Sequence, residues 1–384
     1  MSVDRLSDWR EPLAPDWRAQ ARALSAGLKA ASSDRPELAA TLRRLGGMRL
    51  GDGERLQLRR LVALARNSGG LPGFRSFRLM LVSNRTTSFF AADLEVAGVA
   101  RGLLIEAIET EYDSVGALAF NPAYRPAAGP FDAVLLMLDA SYFPLAQAVA
   151  DLASEQSQTD EIKGLLTSTV SALREKASAP VIVANVVTPL DHDQSLTDSA
   201  TPGTASRRTA IINTILGSMA EQRLCIPFDL ASVAARVGLN TYFDPMRMHQ
   251  AKVPFSLDAG PVVADALSAL IAALAGRSGR ALVLDLDNTV WGGVIADDGQ
   301  AGIIVGQGSA EGEAFLAVQN YALAMRSKGV VLAVCSKNLE ATAREPFQSH
   351  PDMALREEHI AVFVANFDDK ATNISRIART LNLD

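Results

Sequence analysis

The side chains best suited to chemistry in this sequence follow the ends of apolar segments in its C-terminal part. Asp285 and Asp287 follow the apolar run ALVL, and their spacing lets both carboxylates face one site. A displacement at phosphorus in two steps uses such a pair, because one carboxylate attacks phosphorus while the second gives a proton to the leaving oxygen. Two ionised acids this close repel each other, so a divalent cation such as Mg²⁺ is expected to bridge them. The pair predicts a phosphoryl-transfer site, and the alternative is a solvated acidic turn after a strand.

A hydroxyl and an ammonium group follow two later apolar runs. Ser336 ends the segment VVLAVCS, and Lys370 comes directly after FVANFDD. These groups can hold a phosphoryl oxygen and neutralise its charge. Taken singly, the serine is typical of a strand end and the lysine of a helix start. In the order Asp, Ser, Lys they predict one site, because the carboxyl ends of parallel strands meet at the same edge of a sheet.

The elements that must position these groups form two stretches in which apolar strands alternate with helices. Near-continuous apolar runs such as FRLMLVS, DAVLLML and APVIVANVV indicate a parallel sheet covered on both faces. A second series of strands and helices begins at ALVLDLDNT, after the glycine-containing segment AGRSGR. The predicted fold class is α/β, with a short helical N-terminal region at residues 1–75 and two tandem doubly wound parallel-sheet domains at residues 76–275 and 276–384.

Three segments that carry these residues resemble the first three motifs of the haloacid dehalogenase (HAD) superfamily of phosphotransferases: DLDNT, VCSKN and DDKATN. Longer segments, such as DLDNTVWGGVIADDG and VGQGSAEGEAFLAVQ, resemble the FkbH-like branch, HAD subfamily IIIC, over residues 280–384. The resemblance implies a HAD- or Rossmann-like domain with Mg²⁺ bound at Asp285 and Asp287. It also implies a role for each matching residue: Asp285 is the nucleophile, Asp287 the acid or base, Thr289 a positioning hydroxyl, Ser336 the phosphate binder and Lys370 the charge neutraliser, with Lys337 and Asn338 also at the phosphate.

The FkbH-like proteins take glycerate units from 1,3-bisphosphoglycerate and load them as thioesters onto acyl carrier proteins in polyketide and related pathways, and some relatives serve capsule or cell-surface biosynthesis. The resemblance implies a phosphatase and glyceryltransferase that uses a small phosphorylated three-carbon substrate and an acyl carrier protein. The superfamily's fourth motif, an acidic pair after a further strand, does not occur before this sequence ends at LNLD. The HAD-like domain is therefore expected to be incomplete at its C terminus. Its activity in this form stays open, and non-catalytic carrier docking is an alternative.

Cys335 lies next to Ser336 and Lys337 in the segment VCSKN. A carrier-loading enzyme needs a thiol if the acyl group rests on the protein before transfer, and cations such as Lys337 and Lys370 would favour the reactive thiolate. The resemblance to a family with a proposed thioester intermediate supports this role. The alternative is an inert residue packed in a strand, which is the usual state of a buried cysteine.

Residues 77–275 resemble, more distantly, the SGNH-hydrolase-like domain that precedes the HAD unit in many FkbH-like proteins. The segment RLMLVSNRT places Ser83 at a strand end, and FDPMRMHQ places Asp244 and His249 late in the domain. A serine, an acid and a histidine are the parts of a hydrolase triad. The serine lies in VSN instead of GDS, LLMLDASYF lacks the asparagine of the oxyanion hole, and the acid and histidine are separated by four residues instead of two. A degenerate binding or scaffolding domain of flavodoxin-like type is favoured, with an active SGNH-type esterase or acyltransferase using Ser83 as the alternative.

The composition is that of globular domains, with 48% hydrophobic and 21% charged residues. Only two cysteines are present, which excludes a disulfide framework and indicates a reducing compartment. The N-terminal segment MSVDRLSDWREPLAPDW lacks the apolar core of a signal peptide, and no apolar run is long enough to span a membrane. A net charge of -6, without aromatic residues among the basic ones, does not fit nucleic-acid binding. The expected location is the cytoplasm, with neither a membrane nor a nucleic acid as partner.

Overall fold

The computed structural model of the chain describes residues 10–30, 34–124, 129–143, 152–190 and 198–383. The chain divides into two units, Met1–Arg277 and Ser278–Asp384. Each unit contains one sheet whose strands are all parallel. The prediction of an α/β fold with parallel sheets is therefore confirmed. Across the described ranges, no helix combines the length and the apolar character needed to cross a membrane.

The first unit begins with helices and continues with alternating strands and helices. Its strands are β1 (Arg75–Ser83), β2 (Leu103–Glu109), β3 (Ala133–Met137), β4 (Val181–Ala184) and β5 (Ile226–Phe228). Its helices are α1 (Trp17–Lys29), α2 (Arg35–Gly47), α3 (Asp52–Asn67), α4 (Ser88–Ala97), α5 (Val115–Phe120), α6 (Leu152–Ala177), α7 (Ala205–Glu221), α8 (Leu230–Val237), α9 (Leu239–Tyr242), α10 (Pro245–Ala251) and α11 (Gly260–Leu274).

The strands of the first unit are ordered β2-β1-β3-β4-β5, which is the order of flavodoxin-like doubly wound folds. Both faces of the inner strand β1 are buried, since Leu79 and Leu81 pack into one apolar cluster and Met80 and Val82 into another. Helices α4, α8 and α11 contribute to the first cluster, and α5, α6 and α7 contribute to the second. A fold of this type has its ligand crevice at the carboxyl ends of the strands next to the switch between β1 and β3.

Helices α1, α2 and α3 share a core with this sheet. Trp17 and Leu42 belong to the same apolar cluster as Val99, which precedes β2, and Leu104, which lies within it. Close packing there depends on Gly46, because a Cβ atom at that position would lie 2.4 Å from a side-chain carbon of Val99. The helical N-terminal residues are therefore packed into the first unit.

The second unit has the strand order β6-β7-β8. Its strands are β6 (Ala281–Leu284), β7 (Val331–Ser336) and β8 (Ile360–Ala365), and its helices are α12 (Ile295–Gly302), α13 (Ala310–Ser327), α14 (Glu340–Ser349) and α15 (Lys370–Thr380). Leu332 and Val334 of β7 pack into one apolar cluster, whereas Ala333 and Cys335 pack into another. Since side chains alternate along a strand, the two clusters lie on opposite faces of the sheet.

Candidate active site

The carboxyl edge of the second sheet carries an acid, a hydroxyl and an amine. Asp285 directly follows β6, Ser336 ends β7, and Lys370 begins α15 after β8. Lys370 Nζ donates a hydrogen bond to Asp285 Oδ2 at 2.6 Å. Both side chains are open to solvent, with 43% of Lys370 and 41% of Asp285 exposed. The structure therefore places an accessible carboxylate against an ammonium group at this edge.

Asp287 is held by three donors. Its Oδ1 accepts hydrogen bonds from Trp291 Nε1 and from the backbone N–H of Ile295, each at 3.1 Å. Its Oδ2 accepts a hydrogen bond from Asn338 Nδ2 at 2.7 Å. Because both oxygens are engaged from different directions, contacts with the protein fix the orientation of this carboxyl group.

The loop from β6 to α12 is shaped so that the indole of Trp291 returns to Asp287. Asn288 adopts a φ of +53°, and its Oδ1 accepts a hydrogen bond from the backbone N–H of Gly293 at 3.0 Å. Gly293 itself has a φ of +87°. A Cβ atom at Gly292 would lie 2.7 Å from a ring carbon of α13. Glycine tolerates a positive φ and has no Cβ atom. The segment WGG can therefore form the turn that brings the Trp291 indole N–H back to Asp287.

A buried amide holds this loop from the side of α13. Gln319 is completely buried, and its Nε2 donates to the carbonyl oxygen of Val290 at 2.9 Å. Its Oε1 accepts from the backbone N–H groups of Ala354 and Leu355 at 2.8 and 3.0 Å. Burial of an unpaired amide is costly, and here both ends are paired. One side chain therefore joins the loop after β6 to the segment that leads to β8.

The predicted phosphate-binding residues differ in exposure. Ser336 is 1% exposed, and its Oγ accepts a hydrogen bond from Asn338 Nδ2 at 3.1 Å. Asn338 therefore bridges Ser336 and Asp287. Lys337 is exposed, and Thr289 Oγ1 contacts the backbone oxygen of Asp287 at 3.5 Å. In this arrangement Ser336 supports Asp287 through Asn338, and its contact with a phosphate stays a prediction.

Helix α15 begins at the site. Asp369 caps it, since its Oδ2 accepts a hydrogen bond from the backbone N–H of Thr372 at 3.0 Å. Lys370 is the first helical residue. The ammonium group and the positive end of the helix dipole therefore lie at the same edge of the sheet, and both favour a bound anion.

Cys335 lies on the face of the sheet opposite to that of its neighbour Ser336. It is 4% exposed and packs with Val364 and Ile377. Burial raises the pKa of the Cys335 thiol, although Lys370 lowers it in part. A buried thiol of raised pKa is a poor nucleophile. The acyl-carrying role of Cys335 requires this cluster to open, so it stays an expectation from the sequence alone.

The oxygen atoms at this edge suit a small, hard cation. Mg²⁺ is usually held through one or two carboxylates, while water and substrate phosphate complete its shell. The Asp285 carboxylate is 41% exposed and accepts two hydrogen bonds, from the backbone N–H of Leu286 and from Lys370, whereas Asp287 accepts three. Within the described part of the chain, no group of three or more His, Cys, Asp or Glu side chains could hold a metal. The residues present therefore fit Mg²⁺ held mainly through Asp285.

The three residues singled out in the first unit do not form a hydrogen-bonded triad. Ser83 ends β1, is 5% exposed, and accepts through Oγ a hydrogen bond from the backbone N–H of Arg85 at 3.0 Å. Asp244 caps α10 by accepting from the backbone N–H of Arg247 at 3.0 Å, and His249 is exposed on that helix. Among the described residues no hydrogen bond joins Ser83, Asp244 and His249. This geometry gives no support to the esterase alternative.

A different polar network occupies the carboxyl edge of the first sheet. Asn84 Nδ2 donates to Asp139 Oδ1 at 2.9 Å, and the backbone N–H of Asp139 donates to Asn84 Oδ1 at 3.1 Å. Arg85 forms an ion pair with Asp139 and donates to Ser141 Oγ. Burial alone would raise the pKa of Asp139, but hydrogen bonds from Ser141 and Asn84, together with Arg85, lower it below its usual range. Asp139 is therefore charged at neutral pH.

Sequence reasoning did not find Trp291 or Gln319, which hold the acidic loop in place. They lie in the segments WGG and AVQ, where a tryptophan indicates core packing and a glutamine indicates an exposed position. The position of Trp291 close to Asp285 and Asp287 in the sequence could have indicated its role, because a buried indole N–H needs an acceptor. For Gln319 the sequence contains no comparable signal, since its partners are backbone groups far along the chain.

A comparison with solved structures identifies an extensive similarity. No protein-family model matches the chain, and no curated protein sequence matches it. The chain is similar to the N-terminal part of the protein BF1531 from Bacteroides fragilis, which contains a phosphatase domain and was crystallised with Mg. The two share 29% sequence identity with a TM-score of 0.72, and the alignment covers 81% of this chain and 82% of that chain. The α/β hydrolase LAE5 from the metagenome of Lake Arreo, Spain, aligns at 14% identity over 53% of this chain and 96% of that chain, with a TM-score of 0.30 that is too low to indicate a shared fold. The first similarity supports the HAD-like interpretation, while the FkbH-like branch and the SGNH-like assignment stay predictions.

Proposed function

We propose that the second unit is a HAD-type, Mg²⁺-dependent phosphatase or phosphotransferase with Asp285 as its nucleophile. The observation that carries this proposal is the contact between Lys370 and the exposed carboxylate of Asp285, at the sheet edge where Asp287 is held by three donors. The similarity to a structure with a phosphatase domain crystallised with Mg supports the same reaction class.

Each residue of the site has a separate task in the proposed reaction. An oxygen of Asp285 forms a bond to phosphorus while the bond from phosphorus to the leaving oxygen breaks, and Asp287 gives that oxygen a proton. Water then attacks the aspartyl phosphate, which releases phosphate and restores Asp285, while Asp287 takes a proton from the water. Lys370 stabilises the negative charge on the phosphoryl oxygens. Mg²⁺ held through Asp285 would supply further neutralisation of the same charge.

Glyceryl transfer extends this proposal to a phosphoglycerate donor. In that step a thiolate attacks the acyl carbon of 1,3-bisphosphoglycerate, a C–S bond forms, and the acyl C–O bond breaks to release phosphate. Support comes from the resemblance of the segments WGG and GQGSAEGE to the FkbH-like branch. Because Cys335 is buried, the acyl carrier protein is the better source of the attacking thiol.

Phosphatase assays with p-nitrophenyl phosphate and acetyl phosphate in Mg²⁺ test the first proposal. Asp285→Asn removes the nucleophile at constant size, so activity should fall to background and the hydroxylamine-sensitive phosphorylation of the protein should disappear. Asp287→Asn should lower kcat by about 10²- to 10⁴-fold, which is the range for a general acid or base. Asp297→Asn, at an exposed acid of α12, is the matched control and should retain wild-type activity. Full activity of Asp285→Asn contradicts the proposal.

A further inference from the structure

A cavity of about 400 Å³ lies at the carboxyl edge of the first sheet, where β3 ends and α8, α9 and α10 come together. Most of its lining is apolar and includes Leu138, Val187, Leu230, Phe243 and Met248. Sites for small molecules have this size, this apolar character and a few placed polar groups. The phosphatase chemistry proposed for the second unit makes no use of this cavity.

Tyr242 supplies one polar group of the cavity. Its side chain lines the cavity but is only 2% exposed, and its hydroxyl has no hydrogen-bond partner among the described residues. Burial, with a contribution from the charge of Asp139, raises the pKa of Tyr242 well above its usual range. The hydroxyl is therefore protonated and able to donate. A ligand oxygen in the cavity would give this donor an acceptor.

Arg85 supplies a second donor. Its Nε pairs with Asp139, and its Nη2 donates to Ser141 Oγ at 2.9 Å. Its Nη1 has no partner within the described residues, and its side chain lines the cavity with 12% exposed. The guanidinium group is therefore fixed by two contacts while one nitrogen stays available to a ligand.

The charges around these donors decide the class of ligand. Asp139 balances the charge of Arg85, and its oxygens already accept from Asn84, Ser141 and Arg85. Asp244 also lines the cavity, and Arg247 balances its charge at 3.3 Å. The cavity therefore offers free donors without a net positive charge, which suits an acceptor oxygen on an uncharged molecule better than a carboxylate or a phosphate.

We propose that this cavity binds an uncharged aliphatic acyl compound, such as an amide, ester or thioester. Its carbonyl oxygen accepts hydrogen bonds from the Tyr242 hydroxyl and Arg85 Nη1, and its chain packs against Leu230, Val187 and Met248. Ser83 is not part of the cavity lining, so the inference concerns binding and not hydrolysis. It does not depend on the phosphatase function of the second unit.

Octanamide is a suitable probe, and isothermal titration of the whole chain should show saturable binding to one site. Tyr242→Phe removes only the hydroxyl, so octanamide should bind about 5- to 10-fold more weakly, the effect of losing one hydrogen bond. The melting temperature should stay the same or rise, because the hydroxyl makes no hydrogen bond with any residue that the structure describes. Tyr112→Phe, at an exposed tyrosine of the same unit, is the control. Equal affinity of Tyr242→Phe and the wild type for octanamide overturns the proposed carbonyl contact.

A second pair of variants tests the location of the ligand. Met248→Trp adds a ring inside the cavity and should abolish octanamide binding, whereas Met246→Trp, at an exposed position of the same helix, should leave binding unchanged. Octanoate should bind more weakly than octanamide. The proposal is overturned if octanamide does not bind, if Met248→Trp binds it normally, or if octanoate binds more tightly.

Discussion

The indole N–H of Trp291 donates to Oδ1 of Asp287 at 3.1 Å, although the tryptophan ring is completely buried. The ring packs edge-on against Phe347 with 5.9 Å between the ring centroids. One side chain is therefore both a core residue and a donor to the candidate acid or base.

Trp291→Phe should lower kcat for p-nitrophenyl phosphate by about 10- to 100-fold with little change in KM, because a hydrogen bond to a charged group is lost while substrate contacts remain. Phe347→Leu removes the ring contact but keeps the indole donor, so it should lower the melting temperature and leave kcat close to wild type. Steady-state kinetics and thermal unfolding of both variants check this. An equal loss of kcat in the two variants would mean that Trp291 acts only through packing.

Ser83 should not react as an esterase nucleophile, since its Oγ is buried and accepts a hydrogen bond from the backbone of Arg85. A fluorophosphonate probe should leave the native protein unlabelled at Ser83, as seen by peptide mass spectrometry. Ester hydrolysis by Ser83→Ala should equal that by the wild type. Stoichiometric labelling that disappears in both Ser83→Ala and His249→Ala would restore the esterase alternative.

Cys335→Ala should leave both phosphatase activity and carrier loading unchanged, because the thiol packs in an apolar cluster and burial raises its pKa. Iodoacetamide should modify Cys335 slowly in the folded protein and rapidly after denaturation. The intact mass of the protein after incubation with 1,3-bisphosphoglycerate shows whether Cys335 carries a glyceryl group. A hydroxylamine-sensitive glyceryl adduct that is absent from Cys335→Ala would establish the covalent role instead.

The free energy of unfolding of the first unit should fall as pH rises, because of the buried carboxyl group of Asp93. Burial raises the pKa of Asp93 to about 6 from an ordinary value of 3.8, in spite of Arg55 3.6 Å away. Between these values the unfolded chain loses a proton that the folded chain keeps, so the free energy of unfolding falls by about 3 kcal/mol from pH 4 to above pH 6. Asp93→Asn should remove this fall and be the more stable form at pH 7.5. Denaturant unfolding across pH measures it, with Asp160→Asn, at an exposed position of α6, as control.

The fold class and the meeting of Asp285 with Lys370 both follow from simple rules of parallel sheets. Each residue comes directly after an apolar strand, and the carboxyl ends of parallel strands share one edge. The sequence order of the motifs was therefore sufficient to predict that the two groups lie near each other. In the structure the two groups are in contact, at 2.6 Å.

The remaining features of the site depend on contacts between distant segments and on strand alternation. Asn338 reaches Asp287 across 51 positions of the chain, and no local pattern indicates that contact. Cys335 and Ser336 are neighbours in sequence, but successive side chains of a strand point to opposite faces. The sequence interpretation placed the Cys335 thiol beside the phosphate without considering this alternation. In the structure the side chains of Cys335 and Ser336 lie on opposite faces of the sheet.

Gln319 joins the loop that carries Trp291 to the segment that leads to β8. Separation of either segment from α13 leaves part of a buried amide unpaired, so a partial opening costs almost as much as a complete one. The two segments should therefore open together in a single sub-global fluctuation. In hydrogen exchange, the amides of Ala354 and Leu355 would then share one opening free energy with the Ile295 amide that holds Asp287, although they lie far apart in the chain.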